Sequence, residues 1–209
     1  MKSKRNVRRM TELALLMAIV LIMAFTPLGY LHTPWGVSVT FIVIPVAVGS
    51  VVLGPGAGAF LGLVFGLTSF ANAFQSATGA LMLQATVPGT FVGSVVPRVL
   101  VGLIPGLICK ALQHAPKLRP IKAAVCCFLT PVLNTAFYIV TSWLIFSETW
   151  LDIAAAAGYT GDTGIRLLGF MLGMVAANGI AEAVTCLLIG TAVCKALLKS
   201  LHKDDPLHG

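Results

Sequence analysis

Long apolar stretches alternate with short breaks rich in Gly, Pro and polar residues along almost the whole chain, with the apolar segments falling at 10–27, 38–54, 57–74, 89–112, 121–146 and 165–195. A helix needs about 20 mostly apolar residues to cross a hydrocarbon core of about 30 Å, so six such segments use up most of the sequence. The pattern predicts an all-α integral membrane protein, a bundle of six transmembrane helices forming one domain over residues 1–209. Between the second and third segments, Gly54-Pro55-Gly56-Ala57-Gly58 predicts a tight turn. It lacks the Lys and Ser/Thr of a phosphate-binding loop. Small residues recur every fourth position at Gly58, Gly62 and Gly66, at Gly102 and Gly106, and at Gly169, Gly173, Ala177 and Ala181. Each series predicts a face along which helix backbones approach closely.

Composition agrees with the pattern: 57% of the 209 residues are hydrophobic and 10% charged, against about a quarter charged in soluble domains. The run 13–25 follows Lys2, Lys4, Arg5, Arg8 and Arg9, the outline of a signal peptide. Thr26-Pro27-Leu28-Gly29 is not an obvious cleavage site and more apolar runs follow, so a retained first helix is expected. The net charge of +7 sits in clusters at segment ends, which is a topology signal and not a nucleic-acid surface. With six spans and the N-terminus inside, twelve of the fourteen Lys and Arg fall on the inner side: the N-terminal cluster, then Lys110, Lys117, Arg119 and Lys122, then Lys195, Lys199 and Lys203. Glu148, Asp152 and Asp162 fall outside, and the outer half also takes all three Trp and all three Tyr. Both termini are therefore expected to be cytoplasmic. Cys109, Cys126, Cys127, Cys186 and Cys194 show neither C-x-x-C spacing nor any nearby His that would complete a tetrahedral metal site, so no metal site is expected and they read as small apolar helix residues.

Polar residues inside the spans carry the functional reading, because an ionisable group at mid-span costs at least about 2.5 kcal/mol and needs a partner or a wet cavity. Helical spacing puts Thr90, Ser94 and Arg98 on one face of the fourth span and Thr130, Asn134, Tyr138 and Thr141 on one face of the fifth. Thr68, Asn72 and Gln75 end the third span, and Asn178 and Glu182 stand one turn apart in the sixth. Hydroxyls in such helices often bond their own backbone, and Asn can simply join helices. Two accounts of Arg98 stay open: an anionic ligand, or an internal ion pair with Glu182. Tryptophan at membrane edges forms an interfacial belt by default, and that is the expectation for Trp150. Trp35, in the uncharged loop His32-Thr33-Pro34-Trp35-Gly36, is a candidate lid over an outward pocket.

An intramembrane hydrolase would need a base beside its nucleophile, yet no His falls within a predicted span and no H-E-x-x-H motif exists. A channel would want a continuous polar path, whereas the inner halves of the spans are almost without polar side chains. Binding from outside over an occluded inner face fits better, with an intramembrane enzyme as the less favoured alternative.

Several stretches resemble the substrate-binding S-components of energy-coupling factor (ECF) vitamin transporters. Ala14-Leu15-Leu16-Met17-Ala18 is similar to the family's AxxxA motif. The run with Ile44-Pro45, Gly49, Leu53-Gly54-Pro55, Gly58, Leu61-Gly62, Phe65-Gly66-Leu67 and Ser69, then Pro97-Arg98, Gly102-Leu103, Gly106 and Asn134-Thr135, completes the likeness over nearly the whole chain. The pattern most resembles the pantothenate-type members, departing from them at Val43, where His is expected. The resemblance implies high-affinity uptake of a water-soluble vitamin, pantothenate first and folate or riboflavin as alternatives, through an outward pocket. The site residues would be Arg98, Asn134, Tyr138, Asn72, Ser94, Trp35 and Asn178, with Ala14 and Ala18 facing a membrane coupling subunit. It further implies two cytoplasmic ATPases as partners, a lipid bilayer of a prokaryotic cell membrane, no cofactor and no nucleic acid, and a subunit that tips over in the membrane to release its ligand.

Overall fold

A computed structural model describes residues 2–27, 29–32, 38–113, 121–161 and 164–203. The chain is built of helices: α1 (Lys2–Ala24), α2 (Val43–Val52), α3 (Pro55–Ala73), α4 (Ala77–Ala85), α5 (Val87–Gln113), α6 (Lys122–Ala156), α7 (Ile165–Thr185) and α8 (Thr191–Lys203). A π-helical segment, Cys186–Gly190, joins the last two. A small antiparallel hairpin of β1 (Tyr30–His32) and β2 (Ser38–Thr40) links α1 to α2, with Tyr30 opposite Thr40. Four stretches are long and apolar enough to cross a membrane: Pro55–Ala73, Val87–Gln113, Lys122–Ala156 and Asn178–Lys199. The expected all-helical architecture is present, with four candidate spans by length and composition.

The other two expected spans differ for physical reasons. α1 carries Arg8, Arg9 and Glu12 in its first half. α2 has only ten residues, about 15 Å at 1.5 Å per residue. Eight of those ten are buried, because α2 lies inside the bundle against α1, α3, α5, α6 and α8, as a helix apolar on all sides must. Val43 belongs to that core, with 1% of its surface exposed, beside Val46, Val48 and Phe65. The Leu53 carbonyl at the end of α2 accepts a hydrogen bond of 2.9 Å from Arg9 Nη2. Gly54 then takes φ 98°, a conformation that costs glycine little, and Pro55 opens α3 at a position where no N–H is needed. The expected turn thus occupies Gly54, and the following Pro-Gly-Ala-Gly is already helix.

The glycine series of α3 and α5 form a single antiparallel seam. A Cβ on Gly58 or Gly102 would collide with the other's backbone carbonyl, one on Gly62 with the Arg98 carbonyl, one on Gly66 would lie 2.8 Å from Val95 Cα, and one on Gly106 2.6 Å from Pro55 Cα. Ser50 of α2 closes the seam by donating its hydroxyl to the Gly102 carbonyl at 2.7 Å and the Val46 carbonyl at 2.9 Å. The third series is different: Gly169 and Gly173 meet nothing within 4 Å and both are exposed, as is Ala181. The close-packed face expected there is instead directed away from the other described residues. All five cysteines are buried and unoxidised, at the end of the bundle where α5 finishes and α6 starts, with Cys127 Sγ 3.8 Å from Cys194 Sγ.

At the opposite end, α6 runs for 35 residues, about 52 Å, well past the ~30 Å of a hydrocarbon core. It bends at Phe146, whose φ −125° and ψ 27° leave the helical region. Beyond the bend it packs with α4 and α7 in a cluster of Met82, Phe146, Trp150, Ala154, Leu167 and Met171. Trp150 is 1% exposed, so it is a core residue of this cluster and not part of an interfacial belt. α4 was not expected; it starts at Ser76, whose hydroxyl accepts the Gly79 N–H at 3.1 Å as an N-cap.

Candidate functional site

Beyond Gly66 the polar face of α3 and the first turns of α5 part company with the seam, and a cavity of about 310 Å³ opens between them and α4, α6 and α7. That volume is at the small end of ligand pockets, which run to about 300–1,000 Å³. Six of the seven binding residues expected from the sequence line it: Asn72 on α3, Ser94 and Arg98 on α5, Asn134 and Tyr138 on α6, and Asn178 on α7. The seventh, Trp35, lies outside the described residues. Ala14 and Ala18 are exposed on α1, away from the cavity.

Arg98 is held in the cavity by its own helix. Pro97 has no N–H, so the carbonyl of Gly93 four residues earlier loses its helical donor. Arg98 Nη1 donates to that carbonyl at 3.1 Å. Its guanidinium carbon stands 5.6 Å from the centre of the Phe65 ring and 5.8 Å from that of Tyr138, both within cation–π range. The Pro97-Arg98 pair is therefore one device: the proline frees the acceptor that fixes the arginine.

Glu182, also lining the cavity, is 5% exposed. One of its oxygens accepts the Thr40 backbone N–H at 2.6 Å and the other accepts Asn134 Nδ2 at 3.4 Å. The Glu182 oxygens are thus hydrogen-bonded by the hairpin and by α6, two partners that helical spacing did not suggest. Asn134 Oδ1 and Asn178 Nδ2 are buried polar atoms with no protein partner, on residues 8% and 6% exposed. Such atoms cost about 1–3 kcal/mol when left unsatisfied, and in native proteins each calls for an explanation.

The hydroxyls divide. Thr90 Oγ1 donates to the Thr86 carbonyl at 2.8 Å and Thr141 Oγ1 to the Phe137 carbonyl at 2.6 Å. Both line the cavity with their hydrogens already committed to their own helices. Thr130 and Thr68 do the same at 2.7 and 2.9 Å and do not reach the cavity at all. Residues not foreseen as lining include Thr40, Ser142, and the start of α4 with Ser76, Thr78 and Gly79. The sequence signal for the last group was Ser76 as a potential cap before nine helix-compatible residues.

Among the described residues, the wall carries the Arg98 cation, the Glu182 carboxylate already engaged, and several amides. It suits a small ligand with an anionic group and additional donors and acceptors. Residues 8–193 match the family described as "ECF transporter, substrate-specific component". The pantothenic acid transporter PanT of Lactococcus lactis subsp. cremoris is 31% identical over 200 residues, covering 90% of this chain and 92% of its own. The pantothenate transporter PanT of Leuconostoc mesenteroides subsp. mesenteroides is 29% identical over 192 residues, covering 87% and 88%.

Proposed function

This chain belongs to the family of ECF transporter substrate-specific components, a multi-pass membrane protein and not an enzyme, and from that premise we propose that it captures pantothenate in the cavity between α3 and α7. The observation that carries the proposal is the conjunction of the Arg98 guanidinium with two buried amides, each having one polar atom without a protein partner. Pantothenate offers a carboxylate, an amide and two hydroxyls. A guanidinium donates two parallel N–H bonds to a carboxylate, and the Asn134 oxygen and Asn178 nitrogen complement a donor and an acceptor on the remainder of the molecule. Tyr138, Asn72 and Ser94 complete the wall, and Trp35 is proposed to cover it.

The remaining features of the proposal follow the charge pattern. α1 and α2 complete six spans, with the ten residues of α2 extended by its flanking apolar segment, and both termini face the cytoplasm with the basic clusters. The cavity then opens outward. Ala14 and Ala18 meet the membrane coupling subunit, and two cytoplasmic ATPases supply energy, since this sequence carries no phosphate-binding loop. Labelling of cysteines introduced at positions 116 and 155 from opposite sides of the membrane supports this orientation, and labelling of both from one side overturns it.

Calorimetry of the detergent-purified protein tests the ligand. Pantothenate should bind, with folate and riboflavin as negative controls. Arg98→Gln should weaken binding by about ten- to a hundredfold, because hydrogen bonds to charged groups contribute about 1.5–3 kcal/mol. Arg98→Lys should recover little, lacking the planar fork. Pantothenol, in which an alcohol replaces the carboxylate, should bind wild type weakly and lose little more on Arg98→Gln. A coupling energy near zero in that cycle removes Arg98 from the site.

A further inference from the structure

We infer that Glu182 is a positioning residue for ligand recognition: it ties the end of the β-hairpin across the cavity and dictates which atom of Asn134 meets the ligand. The inference rests on the cavity being the vitamin site. A buried carboxylate is at first sight out of place in a pocket for an anion, and nothing in the proposed chemistry of capture uses it directly.

Two of its contacts explain its presence. The 2.6 Å bond joins the Glu182 carboxylate to the main-chain N–H of Thr40, the last residue of β2 and the partner of Tyr30 across the hairpin. A charge-assisted bond between residues 142 positions apart thus holds the base of the hairpin against α7. The second contact is to Asn134 Nδ2 at 3.4 Å. A carboxylate oxygen of Glu182 accepts this hydrogen bond, so the amide of Asn134 turns its NH₂ toward α7. Its Oδ1 is then the atom left without a protein partner, on a side chain that lines the cavity. Asn178, one turn before Glu182 on the same helix, presents the opposite polarity through its partnerless Nδ2.

The site therefore presents a fixed order of cation, acceptor and donor at residues 98, 134 and 178. The ligand is required to place an anionic group at the first, an N–H or O–H at the second and an oxygen acceptor at the third. A glutamine at 182 would still accept from Thr40 but would turn a donor toward Asn134, setting donor against donor and favouring the flipped amide.

Four proteins separate the two roles: wild type, Glu182→Ala, Glu182→Gln, and Glu182→Gln combined with Asn134→Asp. Two readouts apply, hydrogen exchange of the Thr40 amide without ligand and calorimetry with pantothenate. Glu182→Ala should speed Thr40 exchange by about tenfold or more, as expected for loss of a hydrogen bond to a charged group. Glu182→Gln should leave Thr40 largely protected yet weaken pantothenate by about tenfold or more through the turned amide. In the double variant the new carboxylate at position 134 accepts from the new amide at position 182 and offers its second oxygen to the cavity. The net charge is unchanged, so most of the affinity should return. Wild-type affinity in Glu182→Gln, or no recovery in the double variant, overturns the proposal. So does Thr40 exchange that ignores Glu182→Ala. A wild type that binds no pantothenate but shows the Thr40 response sinks the pantothenate reading while supporting the tie to the hairpin.

Discussion

Helices α3 and α5 are neighbours along most of their length, yet their two ends do opposite things. Toward the basic end, Gly58, Gly62, Gly102 and Gly106 bring backbone onto backbone with no room for a methyl group. Toward the other end the same two helices present Asn72, Thr90 and Ser94 to an open volume of about 310 Å³. The change comes within one turn of Gly66, the last seam glycine of α3. A seal and a pocket are thus made from one helix pair by ending a small-residue stripe where polar residues begin. Arg98 belongs to both regions: its carbonyl lies against Gly62 and its guanidinium lines the cavity. A rigid seam is what holds the arginine of the pocket at a fixed depth.

The comparison is broken most severely from the seam side. Gly102→Leu drives a side chain into the backbone of α3 and should lower stability by about 3 kcal/mol or more, the upper range for overpacking, or abolish recovery of monodisperse protein. Gly173→Leu, at a position that meets nothing within 4 Å, should leave stability unchanged or raise it by up to about 1 kcal/mol through helix propensity. Thermal unfolding in detergent checks both. Equal losses in the two variants would mean that the seam is not special.

A surface belonging to neither region supplies the next contrast. Ala14→Trp with Ala18→Trp alters an exposed face of α1 and should eliminate pantothenate uptake in cells. Binding by the isolated protein should persist. Loss of binding in step with uptake would show that this face supports the pocket and not a partner.

The smallest effect sharpens the pocket side. Asn178→Ala removes a buried donor that has no protein partner, so stability should hold or rise slightly. Pantothenate affinity should fall by about two- to tenfold, the share of a neutral hydrogen bond worth about 0.5–1.5 kcal/mol. Paired thermal and calorimetric measurements decide it, and a fall in stability with affinity intact would make Asn178 ordinary helix packing.

Much of this was legible in the sequence because it depends on local rules. Apolar runs gave the membrane architecture, since lipid admits few alternatives to helices of that length. A mid-span arginine and asparagine pointed to a polar interior, because such residues are too costly to face lipid, and helical spacing gathered Ser94 with Arg98 and Asn134 with Tyr138 on faces that line the cavity. What local rules could not decide was which of several equal-looking signals would be used. Gly102 and Gly169 sit in the same kind of fourfold series, yet one is buried against a backbone and the other meets open space, because only the position of a neighbouring helix distinguishes them. Trp150 matched an interfacial residue by type and place, and only the bend of α6 at Phe146 folds it into a core.

The sequence by itself determined the membrane class, the family likeness and most of the side chains that meet in the cavity, because burial cost and helical periodicity act within a single segment. The tertiary structure alone decided that α2 is an interior helix, that α4 helps line the pocket, and that Glu182 engages Thr40 and Asn134. These are contacts between segments 48 and 142 residues apart for the two Glu182 bonds, and no periodicity along one helix encodes the register between two.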